Sequence, residues 1–161
     1  MNKDSTVPTA IAFIGFIAVA IFCFIVVRNS IISKQELKYE EEKNLVGELS
    51  NLSVNINGVN YEAVSESNKA AESFIKNLPL TIEMNDINEN EKRGYTYFKM
   101  TTEAKKQSKI EIGDILLSGD SYVVIATKTF KSNDKYTKIA HIQNVNEIPK
   151  GNIKAIIQKI D

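Results

Sequence analysis

The chain has 161 residues, with 20 basic and 20 acidic side chains, one cysteine and one histidine. That balance excludes a nucleic-acid binder, which needs a basic surface to neutralise phosphates. The lone cysteine and lone histidine leave no disulfide and no ordinary zinc set, so neither metal nor cofactor is expected.

The first element is an apolar run from Ala10 to Val27, AIAFIGFIAVAIFCFIVV, closed by Arg28. As a helix it spans roughly 27 Å, and Val7 to Thr9 extend it toward the ~30 Å of a bilayer core. In lipid every backbone polar group must be paired internally, so the run is read as a transmembrane helix over residues 7–28, behind a short tail of residues 1–6. The stretch after Val27 offers no small-x-small site, and Lys3 is offset by Asp4, so the segment reads as an uncleaved anchor. Phe22 stands where a lipoprotein signal needs a small residue, so Cys23 reads as a lipid-facing or packing residue. Arg28, Lys34, Lys38 and Lys43 outnumber Lys3 on the other flank, which favours a cytoplasmic position for the C-terminal domain.

Residues 29–50 are highly charged and carry no sustained heptad pattern, which fits a solvated stalk rather than a coiled coil. About 130 residues lie beyond Arg28, enough for one domain with its own core, assigned to residues 51–161. Leu52 to Val64 alternates apolar and polar residues on both sides of Asn57-Gly58, the pattern of a β-hairpin with a type I′ turn. Ser67 is the expected N-cap of a helix whose apolar face is Ala70, Ala71, Phe74, Ile75 and Leu78, ended by Pro79.

Short strands are expected at Leu80–Met84, Gly94–Met100, Ile115–Leu117, Tyr122–Ala126 and Tyr136–Gln143, with a polar loop at Asn85–Glu91. Ile153, Ile156, Ile157 and Ile160 recur at helical spacing and suggest a terminal helix, with a strand as the alternative. Many short strands at regular spacing describe a mainly β domain, a small barrel or sandwich with one or two short helices.

Few residues point to chemistry. Glu83, Asp86, Glu89 and Glu91 lack the spacing of a calcium loop and read as a solvated loop. Asp114 and Asp120 each follow glycine and read as turn residues. His141 lies in an alternating stretch, as a barrel-wall residue would. Arg93, the only arginine past the stalk, reads as an exposed loop charge. No P-loop, dinucleotide fingerprint or nucleophile elbow is present.

The order of five motifs resembles the bacterial cyclophilin-like domain family. They are the Ile56–Gly58 hairpin, Leu78–Thr81 (LPLT), Asn88–Lys92 (NENEK), Gly113–Leu116 (GDIL) and Tyr136–Ile142 (YTKIAHI). The resemblance implies a small closed cyclophilin-like β-barrel. It also favours an extracytoplasmic domain, against the charge bias. Two positions depart from the family: Ala140-His141 replaces Gly-Arg, and Arg93 follows NEK where an aromatic is common.

True cyclophilins use a guanidinium on the prolyl amide beside an apolar pocket, and their arginine is followed by F-M-x-Q and G-G-D. That run is missing here. The expectation is therefore a membrane-tethered binding module without isomerase activity, offering a groove to a peptide or small-molecule ligand. The alternative is a peptidyl-prolyl isomerase or folding helper. The candidate ligand-binding residues are Arg93 or His141, with Tyr95, Tyr97, Phe98 and Phe130 as a pocket. The bilayer is the other expected partner, through residues 7–28.

Overall fold

The computed structural model describes residues 22–36 and 49–160. The chain divides into two compact units, residues 1–44 and 45–161. In the first, residues 22–36 form helix α1, whose apolar side chains such as Phe22, Phe24 and Val27 are exposed. Among the described residues no helix is long and apolar enough to cross a membrane. Most of the run expected to span the bilayer, and residues 37–48 of the stalk, lie outside the described residues.

The second unit begins with β1 (Asn51–Ile56) and β2 (Val59–Ser65), helix α2 (Lys69–Ile75), β3 (Leu80–Ile87) and β4 (Glu91–Tyr95). It continues with β5 (Lys105–Lys106), β6 (Asp114–Ser118), β7 (Tyr122–Ala126), β8 (Lys135–Ile142) and β9 (Ile153–Lys159). The strand order is β2-β1-β9-β3-β4-β7-β6-β8, with β5 added beside β8, and β8 pairs back onto β2. Every pairing is antiparallel. The result is a closed barrel of eight strands.

Alternation explains the core. Leu52, Val54 and Ile56, then Leu80, Ile82 and Met84, then Ile153, Ala155 and Ile157 recur every second residue, so each strand sends one face into the barrel. The β1–β2 hairpin turns on Asn57 and Gly58 with φ of 49° and 92°, as the sequence predicts. The Asn55 side chain locks this turn by accepting from Gly58 N at 3.0 Å.

Helix α2 buries Ala70, Ala71 and Phe74, but its N-cap is Asn68, not Ser67. Asn68 Oδ1 accepts from Ala71 N at 2.8 Å while its Nδ2 donates to Lys138 O at 3.0 Å, so one side chain both caps α2 and ties it to β8.

Three expectations are corrected. The polar loop at Asn85–Glu91 is mostly strand: β3 runs to Ile87 and β4 starts at Glu91, joined by a turn in which Asn88 and Glu89 have positive φ. The aromatic segment Gly94–Met100 is strand only to Tyr95. The expected C-terminal helix is β9, set between β1 and β3. Its burial alternates, with Ile153, Ala155 and Ile157 inside and Ile160 exposed. Two waiting strand edges outweigh the local helical spacing, because strand preference depends on neighbours rather than on the segment alone.

Candidate functional site

The outer wall of β3, β4 and β7 carries a groove with a volume of about 520 Å³. Lys92 and Gly94 face inward, since they pair with the core residues Ile125 and Val123. By parity Glu91, Arg93 and Tyr95 face out. Tyr95 lies opposite Tyr122 of β7, with ring centroids 5.2 Å apart. Tyr97 packs edge-on against Tyr95 at 4.9 Å.

Tyr97 reaches that position because its backbone takes φ of 61° and its neighbours are pinned. Thr96 N donates to Ser121 O at 2.9 Å, and Met100 N donates to Asp120 O at 2.8 Å. The three rings form an exposed strip beside Arg93. Gly94, turned inward between Arg93 and Tyr95, sets the spacing of the two strands: a Cβ there would lie 2.6 Å from Ile82 Cδ1 and 2.8 Å from the Glu83 carbonyl oxygen. Only glycine lets β4 approach β3 this closely.

Arg93 is not an exposed loop charge. It sits within β4, and its NH2 group donates to Glu91 Oε1 at 2.6 Å. Its Nε is buried and has no hydrogen-bond partner among the described residues. Glu91, expected in a solvated loop, is buried, and its Oε2 accepts from the Tyr136 hydroxyl at 3.1 Å. Burial first, and then the Glu91 charge, push the Tyr136 pKa up to about 12.

The rest of the acidic stretch is dispersed. Glu83 lines the groove, Asp86 pairs with Lys92, and Glu89 pairs with Lys128 at 3.3 Å. Among the described residues no group of three or more His, Cys, Asp or Glu is placed to hold a metal ion.

Of the six predicted ligand-binding residues, Arg93, Tyr95 and Tyr97 meet in the groove. Phe98 packs on the barrel core, and Phe130 packs on a separate outer cluster of Ile110, Leu116, Val124, Ala126 and Tyr136. His141 is a wall residue on β8, opposite Val64 on one side and Asp114 on the other. Its Nδ1 lies 2.9 Å from Asp114 Oδ1, which also accepts from Lys138 Nζ at 2.9 Å.

Asp114 also does the turn work expected of it, with Oδ2 accepting from Glu111 N at 2.9 Å. Burial opposes the Lys138 ammonium, but the Asp114 and Glu66 carboxylates outweigh it and raise its pKa. Asp114 opens β6 and pairs with Lys138 and His141, whereas Asp120 lies in the turn beyond the strand's other end and pairs with Lys99, so they form no acid–base pair. Tyr122 is a groove residue that the sequence reading does not single out. Parity is the signal for it, because it leads a strand whose next residue, Val123, is buried.

The architecture has a known counterpart. The solution structure of the hypothetical protein AF2241 from Archaeoglobus fulgidus superposes with a TM-score of 0.53 at 14% identity, covering 71% of this chain and 97% of that one. No curated protein matches the chain. The sequence model described as the cyclophilin-like family matches residues 54–159, from β1 to the last residue of β9. With the family's model covering most of the chain and the closed barrel it implies in place, the protein belongs to the cyclophilin-like family.

Proposed function

We propose that the protein is a membrane-tethered cyclophilin-like binding module that presents the groove on β3, β4 and β7 to a peptide, without isomerase activity. One observation carries the reading: Tyr95, Tyr97 and Tyr122 form a continuous exposed aromatic strip beside a guanidinium. Ring faces take apolar or prolyl side chains, and the partly exposed Arg93 guanidinium beside them suits a peptide carbonyl. The apolar run Ala10–Val27 supports the tether, and the family resemblance supports an extracytoplasmic domain.

The Arg93 guanidinium at the groove also favours the second reading, a prolyl isomerase, since such an enzyme needs a guanidinium at the prolyl amide. Amide chemical shifts recorded with proline-containing peptides, together with a prolyl isomerisation assay on the same protein, separate the two. Shifts at Tyr95, Tyr97 and Tyr122 without rate acceleration support the module. Acceleration that disappears in Arg93→Ala replaces it with the enzyme, and absence of both removes the groove from either role. Protease treatment of intact cells tests the side of the membrane; full protection of the barrel would place it inside.

A further inference from the structure

A second cavity, of about 300 Å³, opens at the end of the barrel that carries the β3–β4 turn. Its other walls are Thr127 and Lys128 beyond β7, and the segment from Asn146 to Gly151 before β9. Those walls are cross-tied. Thr127 N donates to Asn90 O at 2.8 Å, Thr127 Oγ1 donates to Glu89 O at 3.0 Å, and Gly151 N donates to Asp86 Oδ2 at 3.1 Å. Such a cavity is preformed, and its volume matches the small end of ligand pockets.

Lys92 forms the polar floor. It faces the barrel interior from β4, and only 1% of its side chain is exposed. An ammonium carries three donors, and Lys92 spends one of them on Asp86 Oδ2, its only acceptor among the described residues. Asp86 has little left to offer: its Oδ2 also takes Gly151 N, and its Oδ1 takes Glu89 N at 3.0 Å. A buried charged donor with unmet capacity is costly unless something else accepts from it. The remaining lining is mixed: the buried Ile148 lies among Thr127, Asn146, Glu147, Lys150 and the Glu89–Lys128 ion pair, so its acidic and basic side chains balance.

We infer that this cavity is a binding site for a small organic carboxylate. The carboxylate accepts from the free donors of Lys92, and the apolar body rests against Ile148 under the rim residue Lys150. The site is separate from the tyrosine groove on the outer wall, and neither depends on the other.

The test is an amide chemical-shift titration of the full chain in detergent micelles with acetate, butyrate and benzoate. Benzyl alcohol and inorganic phosphate serve as comparisons. The expected result is saturable shifts at Glu89, Thr127 and Gly151, with benzoate binding about tenfold more tightly than benzyl alcohol, as one charge-assisted contact predicts. The pair Lys92→Met with Asp86→Asn, which leaves no unpaired buried charge, abolishes that preference. Equal binding of alcohol and acid, a stronger response to phosphate, shifts confined to other surfaces, or no saturable shift in the unmutated protein overturns the assignment. Because the unmutated chain alone decides the question, a variant that fails to fold does not block the test.

Discussion

The Tyr136 hydroxyl on β8 reaches across the outer faces of β6 and β7 to donate to the Glu91 carboxylate on β4, at 3.1 Å. The same carboxylate holds Arg93 at the edge of the tyrosine groove. One buried acid thus connects the barrel's outer apolar cluster to the candidate peptide site.

Tyr136→Phe removes the hydroxyl from Glu91 and leaves the carboxylate to Arg93. The expected loss is about 1.5–3 kcal/mol, the usual range for a hydrogen bond to a charged group. Urea unfolding should show a lower midpoint at unchanged slope.

Alkaline pH gives an independent handle on the same contact. The Tyr136 pKa is raised from 10.0 to about 12, so the folded state keeps a proton that the unfolded state gives up. Its contribution is full below pH 10 and is lost as pH rises toward 12. Ultraviolet titration should show a late-ionising tyrosine component, and Tyr136→Phe should remove it along with the matching part of the alkaline fall in Tm.

Asp86 titrates in the opposite sense. The hydrogen bond from Lys92 is the largest influence, and it holds the carboxyl below its ordinary value of 3.8. Its contribution is present above that value and fades as pH falls through the lower, folded-state pKa. Stability measured against pH should therefore fall less steeply on the acid side in Asp86→Asn than in the unmutated protein.

Gly94→Ala tests the close approach of β3 and β4. The new methyl meets Ile82 at 2.6 Å and a backbone oxygen at 2.8 Å, so the strands must part. A loss of about 1–3 kcal/mol is expected, as for overpacking. Peptide shifts at Tyr95 should weaken with it, since Tyr95 is the next residue of β4.

Ile157→Ala and Ile160→Ala separate a strand from a helix at the C-terminus. Ile157 is fully buried and paired with Val54 and Leu80, so its truncation should cost about 2–5 kcal/mol. Ile160 is exposed, and its truncation should stay within about 0.5 kcal/mol. A helix with one isoleucine face would make the two losses similar.

The sequence is legible where local chemistry decides. Asn57-Gly58 announces its turn because both residues tolerate positive φ, and the alternation around it sets register and face together. The β9 segment is ambiguous because Ile156 and Ile157 are adjacent and Ala155 is a weak apolar marker. Its strand conformation comes from pairing with β1 and β3, both remote in sequence.

The Asn88-Glu89 turn is hidden because its positive-φ residues include no glycine. Carrying the alternation of Leu80, Ile82 and Met84 two residues further places Asp86 on the inner face. For the groove, the parity of Arg93 and Tyr95 is readable, and Tyr95 opposite Tyr122 is not. Phe98, Phe130 and His141 share only a residue type with a binding site, and packing sends each elsewhere.

The place of β9 between β1 and β3 sets the timetable of folding. While the chain is being made, β1–β2 and β3–β4 can form as hairpins, but no route around the barrel exists until residues 153–159 arrive to join them. Closure waits on contacts separated by about a hundred residues, the slow kind of topology. Until then the strands flanking the gap stay open-edged, so the last strand to be made is also the one that removes the barrel's unpaired edges.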